Sequence, residues 1–235
     1  MKINFMSLKN KAKWWPLCAF LWLPLVGCME DEGENVEPVP VAYVSIYNAS
    51  PNAPQLDVSV DDRQLFNRPL NYTDYTRYLN FYTGERELKI SSFNANSVLV
   101  DTTVNLQADK VYSMFIADDV DDLSAVVVED NAETPAPGKA LIRLVHLAPD
   151  APVVDLATED GTSLLTNQPF KQASAFQEVD ADTYNLVVNP DGGEGLSVPD
   201  ATFRSQGIYT LIVRGYATPP AGNSNRLSVQ IVSNN

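Results

Sequence analysis

Shifted by 98 residues, the chain lies on itself. Val44-Ser45-Ile46-Tyr47-Asn48-Ala49-Ser50-Pro51-Asn52-Ala53-Pro54-Gln55-Leu56-Asp57 aligns with Ile142-Arg143-Leu144-Val145-His146-Leu147-Ala148-Pro149-Asp150-Ala151-Pro152-Val153-Val154-Asp155. Further along, Phe81, Leu88 and Ile90 fall on Val179, Leu186 and Val188. Lys110-Val111-Tyr112 meets Gly207-Ile208-Tyr209, and Leu123-Ser124 meets Leu227-Ser228, after the small drift that loop insertions produce. Solenoid repeats have periods of about 20–50 residues, so a unit of this length is a whole domain. The breaker-rich stretch Asp130-Asn131-Ala132-Glu133-Thr134-Pro135-Ala136-Pro137-Gly138 separates the copies. The expected division is therefore domain 1 over 41–131, a linker at 132–138 and domain 2 over 139–235.

Within each copy, short runs rich in Val, Ile, Tyr, Phe and Thr alternate with turn residues. In the first copy they predict strands at 41–48, 56–60, 75–82, 86–93, 97–105, 111–117 and 123–129. No segment shows a helical period. About seven strands in fewer than a hundred residues predict an all-β chain of two tandem antiparallel β-sandwich domains, immunoglobulin-like in architecture.

The N-terminus reads as an address. Lys2, Lys9, Lys11 and Lys13 precede an apolar stretch from Trp14 to Gly27, short for a membrane span but suited to a signal peptide over 1–27. Leu25-Val26-Gly27-Cys28 resembles the bacterial lipobox, in which the Cys is diacylglycerylated and becomes the mature N-terminus. Cys28 is thus the expected lipidation site, and its two acyl chains suffice for stable membrane anchoring. An acidic and Pro-bearing tether follows over 28–40. Its run Met29-Glu30-Asp31-Glu32-Gly33-Glu34 resembles the surface-export signal of lipoproteins in one large group of Gram-negative bacteria. The expected location is the outer membrane with the domains exposed at the cell surface, whereas a plain tether would leave them facing the periplasm.

The second copy carries a further resemblance. His146-Leu147-Ala148-Pro149-Asp150-Ala151-Pro152-Val153-Val154-Asp155 is similar to the signature of the bacterial family named domain of unknown function 4397. That resemblance implies export and a β-rich fold, and no activity. The first copy departs from it, with Asn48 and Asn52 in place of His and Asp.

Composition removes several functional classes. Thirty acidic residues against 16 basic ones give a formal charge of −14, which repels a phosphate backbone and argues against nucleic-acid binding. Loss of the signal segment removes four Lys and no acid, leaving 12 basic and 30 acidic residues and a charge of −18. One His and two Cys, of which Cys18 leaves with the signal peptide, remove most routes to a zinc site or a nucleophilic triad. No cofactor, metal site or catalytic residue is expected.

Six features remain to be placed. The Pro-x-Ala-Pro segments at 51–54 and 149–152 read as stiff crossovers in which Asn52 or Asp150 bonds nearby backbone amides. His146 shares a strand face with Ile142 and Leu144, and reads as a hydrogen-bonded core residue placed to pin the turn through Asp150. Asp118-Asp119-Val120-Asp121-Asp122 crowds four carboxylates on one hairpin tip. It offers oxygen ligands for calcium but matches no known loop spacing, so it reads as a solvated turn. Tyr72, Tyr75, Tyr78, Phe81 and Tyr82 either pack a core or present rings to a sugar or a partner. Asp191-Gly192-Gly193-Glu194-Gly195 is an acidic turn, and Asp101-Thr102-Thr103 resembles a short O-glycosylation acceptor.

The function expected from these readings is that of a non-catalytic envelope lipoprotein, displaying two sandwiches for adhesion, for binding a glycan or protein, or as a spacer. The alternative is an accessory subunit or glycan-processing enzyme using surface carboxylates.

Overall fold

A computed structural model describes residues 39–95 and 97–234; the signal segment 1–27, Cys28 and the acidic run at 30–34 lie outside the described residues. The first half contributes Val41–Asn48 (β1), Leu56–Val60 (β2), Arg63–Gln64 (β3), Leu79–Tyr82 (β4), Gly84–Ser92 (β5), Val98–Leu106 (β6), Val111–Ala117 (β7) and Ser124–Glu129 (β8). They form two sheets, in the orders β4-β1-β7-β8 and β3-β2-β5-β6. The second half contributes Lys139–His146 (β9), Val154–Thr158 (β10), Ser163–Gln168 (β11), Gln172–Ala173 (β12), Gln177–Asp180 (β13), Thr183–Pro190 (β14), Leu196–Thr202 (β15), Ile208–Arg214 (β16) and Ser228–Ser233 (β17). Its sheets run β12-β9-β16-β17, with β13 also on β9, and β11-β10-β14-β15. Among the described residues the only helical turn is the 3-10 segment Val120–Asp122. The fold is all-β, built of β-sandwiches.

Strand alternation builds the cores. In the first half Val44 and Ile46 of β1 and Met114 and Ile116 of β7 meet Val58, Leu88 and Ile90 of the opposite sheet. In the second, Ile142 and Leu144 of β9 and Leu211 and Val213 of β16 meet Leu156, Leu186 and Val188.

Two features depart from the expected pattern. Each half contains one parallel pair, β1 with β7 and β9 with β16, within otherwise antiparallel sheets. Parallel neighbours need a long crossover, and the strands of the facing sheet supply it. The strand expected over 75–82 begins only at Leu79. Upstream of it the Thr76 hydroxyl, rather than a main-chain carbonyl, accepts from the Ile46 amide at 2.9 Å, while the Thr76 amide donates to the Ile46 carbonyl. A side chain in the acceptor position interrupts the ladder, and residues 75–78 are left as an irregular wall beside β1.

The other faces of β1, β7, β9 and β16 are also covered. Tyr47, Ala49, Phe115 and Ala117 from the first half pack against Val145, Leu147 and Ile212 from the second. The β1–β7 sheet therefore lies against the β9–β16 sheet along a seam, and both are buried on two sides. That double burial is why β7 (VYSMFIA) and β9 (KALIRLVH) carry near-continuous buried runs instead of alternating with solvent.

The turn after β16 depends on one glycine. Gly215 has φ +82°, and a Cβ there would meet the Arg226 carbonyl oxygen at 2.3 Å. Only glycine admits both the left-handed backbone and that approach.

Candidate functional site

The seam has a polar end and a clamped end. At the polar end, Ser45 and Ser113 point off β1 and β7 toward Arg143 and Thr210 off β9 and β16. Arg143 Nη1 meets Asp130 Oδ1 at 2.6 Å, with side chains only 1% and 4% exposed. The remaining bonds close a ring. Arg143 Nε donates to Thr210 Oγ1 at 2.8 Å, which donates to Asn234 Oδ1 at 2.7 Å. Asn234 Nδ2 donates to Tyr78 Oη at 2.8 Å, and Tyr78 donates to Asp130 Oδ2 at 2.6 Å. Ser113 Oγ sits inside the ring, accepting from Arg143 Nη2 and donating to Asp130 Oδ2, both at 2.8 Å. The guanidinium also lies over the Phe176 ring, 4.6 Å from its centroid. The buried charges and hydroxyls thus find their partners within the protein, Asp130 Oδ2 through hydrogen bonds and Asp130 Oδ1 through the ion pair alone. Burial, reinforced by the Asp130 carboxylate, pushes the Tyr78 hydroxyl up to about 12 and keeps it a donor.

Above this network the seam opens into a cleft of about 540 Å³, within the roughly 300–1,000 Å³ of small-molecule sites. Residues 75–78 form one wall and β17 with Asn234 the other, while Ser45, Ser113, Phe115 and Ile212 form the floor. Tyr75 stands at the lip, 47% exposed, stacked on Tyr47 with centroids 6.3 Å apart. Tyr47 is fixed in turn, since its hydroxyl donates to Gln230 at 2.7 Å across the seam.

The clamped end holds the Pro-x-Ala-Pro segments. Asn52 Oδ1 accepts from the Val120 amide at 2.8 Å, and the two Asp150 oxygens accept from the Ala217 and Thr218 amides at 2.7 Å each. The expected backbone bonding therefore exists, but it reaches the β7–β8 and β16–β17 connections, 67 and 68 residues away, rather than the local turn. Asn223 and Asn225 Nδ2 both donate to the Pro51 carbonyl, at 3.0 and 2.6 Å, tying the halves together.

His146 is fully buried, as expected of a core residue, but it does not bond Asp150. Its Nδ1 accepts from the Ala148 amide at 3.3 Å and Nε2 lies 2.9 Å from the Pro152 carbonyl, an arrangement that suits the neutral Nε2–H form. Burial lowers its pKa. In the first half Asn48 does the equivalent work, its Oδ1 accepting from the Ser50 amide at 3.1 Å.

The acidic tip is not merely solvated. Asp118 pairs with Lys171 at 2.5 Å and Asp119 accepts from Tyr216, both partners lying in the second half, whereas Asp121 and Asp122 are exposed. Burial, with Asp119 beside it, raises the Tyr216 pKa. The aromatic cluster divides as well. Phe81 is core, Tyr72 bonds Arg214 of the second half at 3.1 Å, Tyr75 and Tyr78 line the cleft, and Tyr82 is exposed away from it. Residues 191–195 form the turn between the paired strands β14 and β15, as read from their composition. Asp101 to Thr103 lie on β6, which is an edge strand.

Arg143, Asp130 and Asn234 were absent from the sequence-derived candidates. A charged residue inside the apolar run Ala140 to Ala148 is the signal that marks a buried, partnered Arg.

No curated protein matches the chain. Among solved structures it is similar to the family 26 carbohydrate-binding module of Eubacterium rectale Amy13K in complex with maltoheptaose. The two are 10% identical with a TM-score of 0.27, over 81% of this chain and 96% of that one. Residues 42–157, from β1 through the first two sheets and across the His146 to Asp155 segment, match the model of the family described as Domain of unknown function (DUF4397).

Proposed function

We propose that this chain is a non-catalytic lipoprotein of the cell envelope, anchored in the outer membrane through Cys28 and presenting a double β-sandwich at the cell surface to bind a glycan or a protein. The signal segment 1–27, the lipobox and the acidic run support the anchoring and the address, and the 98-residue repeat supports an origin of the two halves in one duplicated domain. The observation that carries binding, rather than spacing, is the cleft at the seam. A spacer needs only modules joined end to end. Here two sheets are buried on both faces, and the cost of an internal ion pair is met, to hold one concave surface in fixed geometry.

Mass spectrometry of the mature N-terminus tests the anchor. A diacylglyceryl-modified Cys28 is expected, and Cys28→Ser should leave an uncleaved or mislocalised precursor. An unlipidated N-terminus at another residue would overturn it. Protease shaving of intact cells tests the orientation: degradation is expected in the wild type, and protection after replacement of Glu30, Asp31 and Glu32 by Ala. Protection of the wild type would leave a periplasm-facing protein.

A further inference from the structure

We infer that the seam cleft is a glycan-binding site that seats one hexopyranose ring against Tyr75; this rests on the binding role proposed above and names its ligand class and its residues. A pyranose presents an apolar C–H face and a rim of hydroxyls, so its site needs an exposed aromatic face beside neutral hydrogen-bonding groups. Tyr75 supplies the face. Its ring is nearly half exposed at the lip, yet it is held by stacking on Tyr47, which Gln230 fixes from the other half. Phe115, Ile212 and Val232 extend the apolar wall inward.

The polar groups fit the same ligand. The ring of bonds through Arg143, Asp130, Tyr78, Asn234 and Thr210 neutralises its own charge and needs no counter-ion, so the floor is rigid and carries no net charge. Spare hydrogen-bonding capacity lies at the lip, where Tyr75 Oη and the Arg77 guanidinium have no hydrogen-bond partner among the described residues. In a chain with 30 acidic residues, Arg77 is, among the described residues, the one ionisable side chain besides the tyrosines that lines the cleft, and none of those lining residues is acidic.

Other ligand classes fit less well. An extended peptide adding to a sheet requires free main-chain groups. β1 and β16 at the floor are paired on both sides, β1 with β4 and β7 and β16 with β9 and β17. Among the cleft-lining strands only the outer edge of β17 is open to such addition, and that edge faces away from its ladder with β16 on the floor. A phosphorylated ligand would meet a single arginine on a strongly acidic protein. Neutral hexopyranoses and hexuronates share the ring chemistry, and Arg77 separates them: its charge is needed for a uronate and dispensable for a neutral sugar.

The mature lipoprotein, purified in detergent, is titrated by calorimetry with maltohexaose, cellohexaose, mannohexaose and a galacturonic acid hexamer. At least one should bind. Tyr75→Ala should weaken that binding at least about tenfold, with an unchanged unfolding temperature. Tyr75→Phe should retain it, and Tyr82→Ala, more exposed but outside the cleft, should leave it within about twofold. Arg77→Gln should weaken the galacturonic acid hexamer alone. Binding that survives Tyr75→Ala at full strength would overturn the cleft while leaving a glycan-binding protein. Absence of binding to all four probes by the folded wild type would overturn the glycan reading with it.

Discussion

Arg143 and Asp130 form an ion pair with almost no solvent access, 13 residues apart in sequence and on opposite sides of the connection between the two sandwiches. The acid lies in the breaker-rich stretch after β8, and the base lies in the middle of β9. Their meeting joins the polar end of the seam, and its disruption should be felt by both halves.

Removing either partner strands a buried charge. Arg143→Met or Asp130→Asn should destabilise the protein by about 3–5 kcal/mol in urea unfolding, while the double variant Arg143→Met with Asp130→Leu should recover much of that loss. Single-variant costs below about 1 kcal/mol would contradict a closed, buried ring.

The seam itself should behave as a core. Phe115 is buried between the two halves, so Phe115→Ala should cost about 3–5 kcal/mol, whereas Val127→Ala on the neighbouring exposed edge should stay near 0.5. Because the halves share this layer, the wild type should unfold in one calorimetric transition. Two resolved transitions in the wild type would show the seam to be weak.

His146 makes stability depend on pH with a definite sign. Its folded pKa is depressed, so below about 6.5 the unfolded chain binds a proton that the folded chain does not. Its contribution to stability is constant above that value and is lost as pH falls from about 6.5 through the lower folded pKa. His146→Asn, which restores what Asn48 does in the first half, should fold and should lose less stability than the wild type between pH 7.5 and 5.5. Equal losses would place the pH dependence elsewhere.

The acidic tip should divide by position. Asp119 accepts the Tyr216 hydroxyl, so Asp119→Ala should cost about 1–3 kcal/mol in thermal unfolding. Asp121→Ala, at an exposed position on the same tip, should change stability by about 0.5 kcal/mol or less. Equal effects at both positions would return the tip to a purely solvated turn.

Several parts of the molecule were legible one residue at a time. β1, β2 and β7 span the residues that the β-branched and aromatic runs indicate, because strand formation there follows local composition and the turn residues that interrupt it. Burial of His146 followed from period two, and of the cleft residues Tyr75 and Tyr78 stood out as rings in a cluster. The strand at 75–78 was misread because nothing local indicates that the Thr76 hydroxyl will replace a ladder carbonyl.

What only the tertiary structure decided is the second buried face. Alternation assigns Tyr47, Phe115, Val145 and Ile212 to the side of their strands away from the core, but period two is blind to whether that side meets water or another sheet. The partners of Asn52, Asp150, Asp118 and Asp119 were hidden for the same reason: a side chain's chemistry says that it must be satisfied, and only the packing of two sheets says by which distant group. Sequence alone therefore determined most strands of the first sandwich and, through alternation and the repeat, the inward face that β1 and β9 share. The seam and the cleft above it arise from contacts between residues far apart in the chain, such as Tyr47 with Gln230 and Tyr78 with Asn234, and even the buried ion pair joins Asp130, just past β8, to Arg143 of β9 in a different sheet; no local pattern encodes them.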